Sequence, residues 1–114
     1  EAEAFDGPSI IMAYAPCINH GFPMSQTMLE EKKAVDTGYW LLYRFNPDLK
    51  KEGKNPFVLD SKKPTLPVSD FLEGERRYTS LERTFPDRVE DFRKGFDTYA
   101  KERYEKYVKM AEDK

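Results

Sequence analysis

The chain has 114 residues, enough for one compact domain and not for two. Hydrophobic residues make up 39% and charged residues 35%, whereas typical domains contain about 45–50% apolar and about 25% charged residues, so we expect a small core that something else completes. The net charge of −2 provides no global attraction to nucleic acid, no stretch approaches the ~20 apolar residues of a membrane span, and one cysteine excludes an internal disulfide and a cysteine-only metal site.

The first predicted element is a strand over residues 9–15. This run is apolar without alternation, follows Gly7-Pro8 and ends before Pro16. Such a run is typical of a strand buried on both faces of a parallel sheet. The sequence contains no second run of this kind, so we expect its neighbouring strands to lie outside the chain. The opening Glu1-Ala2-Glu3-Ala4, without an initiator methionine, is interpreted as the end of a helix whose start has been removed.

A helix and a β-hairpin are predicted next. Ser25 is a suitable N-cap for a helix over residues 26–37, and Gly38 is the expected stop. The aromatic-rich residues 39–45 favour a strand. Residues 57–60 predict a short strand that returns against it as a hairpin with a long polar loop.

The remainder of the chain is predicted to be helical. Residues 62–68, with two prolines, form a linker, and a helix follows over residues 69–78. Thr79 begins a capping-box pattern and predicts a new short helix. Pro86 predicts the first turn of a long last helix that ends near residue 112. That helix carries one apolar stripe at three- and four-residue spacing: Val89, Phe92, Phe96, Tyr99, Tyr107 and Met110.

The loop after the first strand holds the densest reactive cluster, with Cys17, Asn19 and His20 within four residues. Ligand sites in open α/β sheets lie at the carboxyl ends of strands. Cys17 can be a small buried thiol that only packs. It can also be a metal or cluster ligand, although Cys17 and His20 are only half of a zinc-type spacing. Cys17 can also be a nucleophile activated by His20, but the sequence shows no recognisable third group to orient the histidine.

The basic pair Arg76-Arg77 is flanked by acidic residues and is predicted to be solvated surface.

Three segments in order resemble the C-terminal part of pyruvate:ferredoxin (flavodoxin) oxidoreductase. They are residues 7–21, GPSIIMAYAPCINHG; residues 38–47, GYWLLYRFNP; and residues 53–62, GKNPFVLDSK. The resemblance extends over essentially the whole chain. It implies an α/β fragment of a larger domain, with one buried parallel-type strand of a thiamine-diphosphate-binding fold, an aromatic hairpin and C-terminal helices. Residues 1–61 would be the C-terminal part of the thiamine-diphosphate and [4Fe–4S] domain, and residues 62–114 a helical tail.

The resemblance also implies the chemistry of the complete enzyme. Members of this family oxidatively decarboxylate pyruvate with coenzyme A to acetyl-CoA and CO₂. They use thiamine diphosphate with Mg²⁺, and [4Fe–4S] clusters pass electrons to ferredoxin or flavodoxin. We therefore expect a cytoplasmic enzyme of anaerobic metabolism, homodimeric when complete, without nucleic-acid or membrane partners. The isolated chain is expected to be inactive, with no catalytic residue and no bound cofactor of its own.

By the same resemblance, Cys17 corresponds to the fourth cysteine ligand of the [4Fe–4S] cluster nearest the thiamine cofactor. The other three cysteines lie upstream in the family and are absent from this sequence. Asn19 and His20 are expected close by, where they could form hydrogen bonds near the cluster or the cofactor. Two alternatives remain open: a non-catalytic structural or interaction module that docks through its hairpin and last helix, and a small mononuclear metal-binding protein that uses Cys17 and His20.

Overall fold

Four α-helices and one two-stranded sheet make up the fold, which the computed structural model describes over residues 1–112. In chain order the elements are α1 (Thr27–Asp36), β1 (Tyr43–Phe45), β2 (Phe57–Leu59), α2 (Val68–Leu72), α3 (Arg76–Thr84) and α4 (Val89–Glu112). Three short 3-10 turns, at Ile18–His20, Met24–Gln26 and Pro47–Glu52, join them. The fold is therefore a mixture of helices with a small antiparallel sheet, consistent with an α/β fragment.

Helix α1 confirms the prediction over residues 26–37 but begins differently. Ser25 lies inside the 3-10 turn Met24–Gln26 and is not the N-cap. Instead, Thr27 Oγ1 donates a hydrogen bond to the carbonyl oxygen of Met24 at 2.7 Å. The expected stop is present, because Gly38 has a φ of +74°, a backbone conformation that glycine adopts without steric cost.

The predicted aromatic hairpin is confirmed, with strands shorter than expected. β1 and β2 pair antiparallel, and Arg44 lies opposite Val58. Residues 39–42 stay outside the sheet because their backbone groups have other partners: Trp40 N–H donates to the carbonyl oxygen of Ala34 at 2.9 Å, within the turn after α1. Leu42 N–H donates to a serine hydroxyl beyond β2 at 2.7 Å.

The two helices that precede α4 differ from the predicted ones. α2 ends at Leu72 and α3 begins at Arg76, so Thr79 lies inside a helix and does not begin one. The break at Gly74 coincides with a close approach, since a Cβ atom there would meet Glu30 Oε1 at 2.7 Å. The capping-box pattern at Thr79 failed as a start signal because the chain already turns four residues earlier, where Glu75 enters the core.

Helix α4 holds the other elements through their backbone ends. Asp97 Oδ1 accepts a hydrogen bond from the N–H of Val68, the first residue of α2, at 3.0 Å. Arg103 donates to two carbonyl oxygens of the turn after α1 at 2.7 and 2.6 Å. Asn55 Nδ2 in turn donates to two carbonyl oxygens of the last turn of α4, at 2.8 and 3.0 Å. The groups at the helix ends lack partners within their own helices, and those of the turn belong to no helix, so α4 stabilises the fold beyond its apolar stripe.

The core is small and contains residues from both predicted parts of the chain, residues 1–61 and residues 62–114. Buried Ala34, Phe71 and Leu72 form its centre, and a shell of half-buried aromatic rings packs around them. The shell consists of Tyr14, Tyr39, Trp40, Tyr78 and Phe96. The radius of gyration is 17.0 Å, against about 13 Å for a compact domain of this length. The division at residue 61 stays a prediction.

The prediction of a buried strand over residues 9–15 is wrong for this structure. Within the described residues this segment belongs to no strand. Its apolar side chains face solvent, with Ile10 89%, Ile11 79% and Met12 65% exposed. A parallel strand needs neighbours for its backbone groups and for both of its faces, and the short strands of this chain pair only with each other.

The helices were also compared with the length and hydropathy of a membrane span. Over residues 1–112 no helix is long and apolar enough to cross a membrane.

Two of the left-handed glycines, Gly38 and Gly53, provide a matched pair for testing the turn after α1. Gly38 and Gly53 have φ values of +74° and +71°, but only at Gly38 would a Cβ atom collide, meeting Pro64 Cγ at 2.8 Å. Each alanine substitution carries the left-handed cost of about 1–2 kcal/mol, and Gly38→Ala adds an overpacking cost of about 1–3 kcal/mol. We expect urea denaturation to show a larger loss of unfolding free energy for Gly38→Ala than for Gly53→Ala. Equal losses would contradict the close packing of Pro64 on this turn.

Candidate functional site

Cys17 lies at the start of a tight turn. It precedes the 3-10 turn Ile18–His20, and Gly21 ends that turn with a φ of +91°. The thiol is free and exposed. Gly21 lies directly against α3, because a Cβ atom there would meet Arg76 Cβ at 2.8 Å. The backbone at the end of the turn is therefore constrained, while Cys17 itself is exposed.

His20 closes the turn back on Cys17. The backbone N–H of Cys17 donates to His20 Nδ1 at 2.7 Å, and the carbonyl oxygen of Cys17 lies 3.0 Å from the same nitrogen. On the other side of the ring, Nε2 lies 2.9 Å from Arg77 Nη2 and 3.7 Å from Glu75 Oε2. Groups that orient the histidine therefore exist, although none was recognised in the sequence.

Glu75 is the most deeply buried charged group of the site, with no exposed surface. Tyr14 donates its hydroxyl to Glu75 Oε1 at 3.0 Å. The other oxygen, Oε2, is buried without a hydrogen-bond partner among the described residues. Two basic side chains lie within 4 Å of it: His20 Nε2 at 3.7 Å and Arg77 Nε at 3.8 Å. Burial, the hydrogen bond to Glu75 and its negative charge raise the pKa of Tyr14 far above the usual range. The tyrosine therefore stays a proton donor to this carboxylate.

A second buried carboxyl group, that of Glu30, lies beneath the site. Its Oε1 also lacks a partner among the described residues, and it packs against Gly74. Burial raises the pKa of Glu30, Lys33 lowers it, and the charge of Glu75 raises it further. The chain thus places two acidic groups under the Cys17 turn.

The structure brings together two of the three predicted site residues. Cys17 and His20 are in contact through the backbone of the turn, and Asn19 is exposed at its outer edge. Sequence reasoning missed Glu75 and Arg77. Both belong to a run of charged residues that is typical of solvated surface. Arg76 and Arg77 are exposed, as predicted, but Arg77 also contacts His20.

The donor atoms present fit one corner of an iron–sulfur cluster. An exposed thiol on a constrained turn suits a thiolate ligand, but a [4Fe–4S] cluster takes four ligands. Among residues 1–112 no group of three or more histidine, cysteine or acidic side chains is placed to hold a metal ion. The alternative is a mononuclear metal site built on Cys17 and His20. In such a site His20 Nδ1 would not be a free ligand atom, because it already contacts the backbone N–H of Cys17.

Comparison with known proteins finds relatives that match nearly the whole chain. The pyruvate:ferredoxin oxidoreductase of Moorella thermoacetica is 57% identical over 112 residues, and a pyruvate-flavodoxin oxidoreductase of Enterobacter agglomerans is 49% identical over 113 residues. The chain is homologous to a segment of the pyruvate:ferredoxin (flavodoxin) oxidoreductases. The resemblance carried by the three sequence motifs is thereby confirmed. No family model matches the chain.

The oxidoreductase homology extends over nearly the whole chain but over little of each relative. The matches to the Moorella and Enterobacter enzymes cover 98% and 97% of this chain and 10% of each relative. A protein of Euglena gracilis named pyruvate dehydrogenase [NADP(+)], mitochondrial, is 41% identical over 98% of the chain and 6% of its own length. The chain thus spans about a tenth or less of the curated relatives it matches.

The raised pKa of Glu30 predicts a pH dependence of stability. The folded state keeps the Glu30 proton to higher pH than the unfolded chain, whose ordinary value is 4.5. The stabilising contribution is therefore complete below pH 4.5 and is lost as the pH rises through the folded-state pKa. We expect Glu30→Gln to remove this fall, because the amide does not titrate, and urea denaturation across the acidic to neutral range measures it. The surface variant Glu102→Gln controls for loss of charge. The same fall in Glu30→Gln would contradict the assignment.

Proposed function

We propose that the chain acts as a segment of a thiamine-diphosphate-dependent pyruvate:ferredoxin (flavodoxin) oxidoreductase and supplies one thiolate ligand, Cys17, to a [4Fe–4S] cluster. The observation that carries the proposal is an exposed thiol on a turn whose backbone is held from beneath by His20. The identities of 43–57% to four named pyruvate:ferredoxin or pyruvate-flavodoxin oxidoreductases support the same enzyme. They favour an enzyme segment over a stand-alone interaction module.

The arrangement suits a ligand contributed to a site completed elsewhere. When bound, such a cluster accepts and passes on single electrons. The chain's own task is to present one sulfur in a defined position, because a ligand that is already oriented loses less entropy on binding. The contacts of His20 with both backbone groups of Cys17 restrain the turn, and the exposed side of Cys17 leaves room for the rest of the enzyme with the other three ligands.

Asn19 and His20 are assigned supporting positions beside the sulfur. Asn19 is exposed at the outer edge of the same turn, where its amide could donate a hydrogen bond toward the cluster or the thiamine cofactor. His20 acts from the inner side through the backbone. Hydrogen bonds and burial around a cluster tune its reduction potential. No residue of this chain is assigned to thiamine diphosphate or Mg²⁺.

The remaining partners follow from the proposed enzyme. Residues 1–61 would complete its thiamine-diphosphate domain, and residues 62–114 would form a helical tail. The apolar segment over residues 9–15 would be covered by neighbouring parts of the same enzyme, which would explain its exposure in the isolated chain. Pyruvate and coenzyme A would be substrates, ferredoxin or flavodoxin the electron acceptor, and the complete enzyme a cytoplasmic homodimer. The segment alone would be inactive.

Cys17→Ser in the complete oxidoreductase tests the ligand assignment. We expect the iron content to fall by about four atoms per chain, or the low-temperature EPR signal of one cluster to change, because one of four thiolates is lost. Ile18→Ser introduces the same residue at the neighbouring exposed position and controls for disturbance of the turn. It should keep the iron content and the EPR signal. An unchanged cluster in Cys17→Ser, or equal losses in both variants, would contradict ligation by Cys17.

Asn19→Ala in the same enzyme tests the supporting role of the amide. Removal of a hydrogen-bond partner close to a metal ligand typically lowers activity about 10- to 100-fold. We expect a lower turnover together with a shifted reduction potential of the cluster, measured by EPR-monitored redox titration, and unchanged iron content. Unchanged potential and turnover would show that Asn19 does not act on the cluster or the cofactor.

A further inference from the structure

The position of one backbone hydrogen decides which nitrogen of His20 carries the ring proton. The N–H of Cys17 points at His20 Nδ1 across 2.7 Å. The carbonyl oxygen of Cys17 lies 3.0 Å from the same nitrogen, where it would favour a proton on Nδ1. The N–H contact is the shorter of the two, and a backbone hydrogen cannot rotate away, so the geometry favours Nδ1 as the acceptor. In a neutral imidazole one nitrogen accepts and the other donates. The proton of His20 therefore resides on Nε2.

Two groups compete for that Nε2–H. Arg77 Nη2 lies 2.9 Å from Nε2, but a guanidinium can only donate, so this contact opposes a proton there. Glu75 Oε2 lies 3.7 Å away and can only accept when ionised. Its side chain has no exposed surface, and among residues 1–112 this oxygen finds no hydrogen-bond partner, whereas the Arg77 side chain is 53% exposed. The arginine can turn to solvent, and the buried oxygen has no comparable alternative.

The same carboxylate also holds the chain before the turn. Tyr14 donates to Glu75 Oε1, and Tyr14 precedes Cys17 by only three residues. The rings of Tyr14 and His20 meet edge to face with centroids 6.1 Å apart. One buried side chain from the start of α3 thus touches the residues on both sides of Cys17.

We propose that Glu75 is the positioning residue of the Cys17 turn. Its carboxylate stabilises the Nε2–H tautomer of His20, and this tautomer keeps Nδ1 free to accept the N–H of Cys17. In the complete enzyme the effect would be to fix the direction in which the Cys17 sulfur is presented. This last step rests on the proposed function, whereas the control of the tautomer by Glu75 does not.

The tautomer can be measured in the 114-residue chain without any metal. His20 is the only histidine, so ¹⁵N-histidine labelling reports on this ring alone by NMR at about pH 8, where a histidine is mostly neutral. We expect the Nε2–H tautomer in the wild type. Glu75→Leu removes the acceptor and should increase the Nδ1–H tautomer. Exchange of the Cys17 amide hydrogen should become about tenfold faster, corresponding to the loss of one hydrogen bond of ordinary strength.

Two further variants make the test specific. Glu75→Gln keeps an acceptor oxygen and should restore both the tautomer and the slow exchange. Arg77→Ala removes an exposed donor and should leave the Nε2–H tautomer in place, a result that does not depend on whether Glu75→Leu folds. The amide of Trp40, bonded to Ala34 within the turn after α1, should exchange at the wild-type rate in all three variants. An Nδ1–H tautomer in the wild type, a tautomer lost in Arg77→Ala, or no change in a folded Glu75→Leu would overturn the proposal.

The complete oxidoreductase supplies the functional readout. There Glu75→Leu should retain iron but change the EPR g-values of the cluster, and Glu75→Gln should restore them. Unchanged g-values in Glu75→Leu, beside a cluster that Cys17→Ser removes, would overturn the positioning role while the ligand assignment stands. Unchanged iron content and an unchanged EPR signal in Cys17→Ser would overturn the ligand assignment. The NMR result on the tautomer would be unaffected.

Discussion

A buried carboxylate at Glu75 is the constraint on which the arrangement of this chain depends. Removing an ionised group from water costs several kcal/mol unless donors replace the solvent. The groups around Glu75 come from distant parts of the sequence: Tyr14, 61 residues before it, donates a hydrogen bond, and the ring of His20 lies 3.7 Å away. Arg77, in the first turn of α3, adds a cation. Because these groups must converge on one carboxylate, the extended N-terminal segment is tied to the start of α3.

Because of these contacts, the Cys17 turn is restrained on its inner side and exposed on its outer side. Its inner side is restrained by contacts of His20 with the Cys17 backbone and of Gly21 with α3. Its outer side leaves the thiol exposed. A metal ligand needs both conditions, since the sulfur must be accessible while its supporting shell stays ordered. Burying Glu75 and Glu30 costs desolvation free energy, so these carboxyl groups are poorly suited to stabilising a small core. This favours a role in shaping the turn.

The small core and the exposed apolar segment both follow from the low content of hydrophobic residues. With 39% hydrophobic residues the chain assembles a centre around Ala34 and Phe71, and α4 reinforces it by hydrogen bonds to the backbone ends of other elements. Nothing within residues 1–112 remains to cover Ile10, Ile11 and Met12. A contiguous exposed apolar patch of this kind marks an interaction surface. This agrees with homology to a short segment of much longer oxidoreductases.

The sequence alone determined two kinds of feature: the elements that depend on local pattern, and the resemblance to a segment of the oxidoreductases. The glycine stop at Gly38 predicted the end of α1, and apolar periodicity predicted α4. Aromatic runs predicted the hairpin, and three motifs carried the resemblance. These signals are readable because they arise from neighbours along the chain. Only the tertiary structure decided that residues 9–15 find no sheet partner, that the chain breaks at Gly74, and that Glu75 is buried beside His20. Burial and long-range pairing depend on which surfaces meet. A glutamate within a charged run therefore looks solvated until Tyr14 and His20 are brought against it.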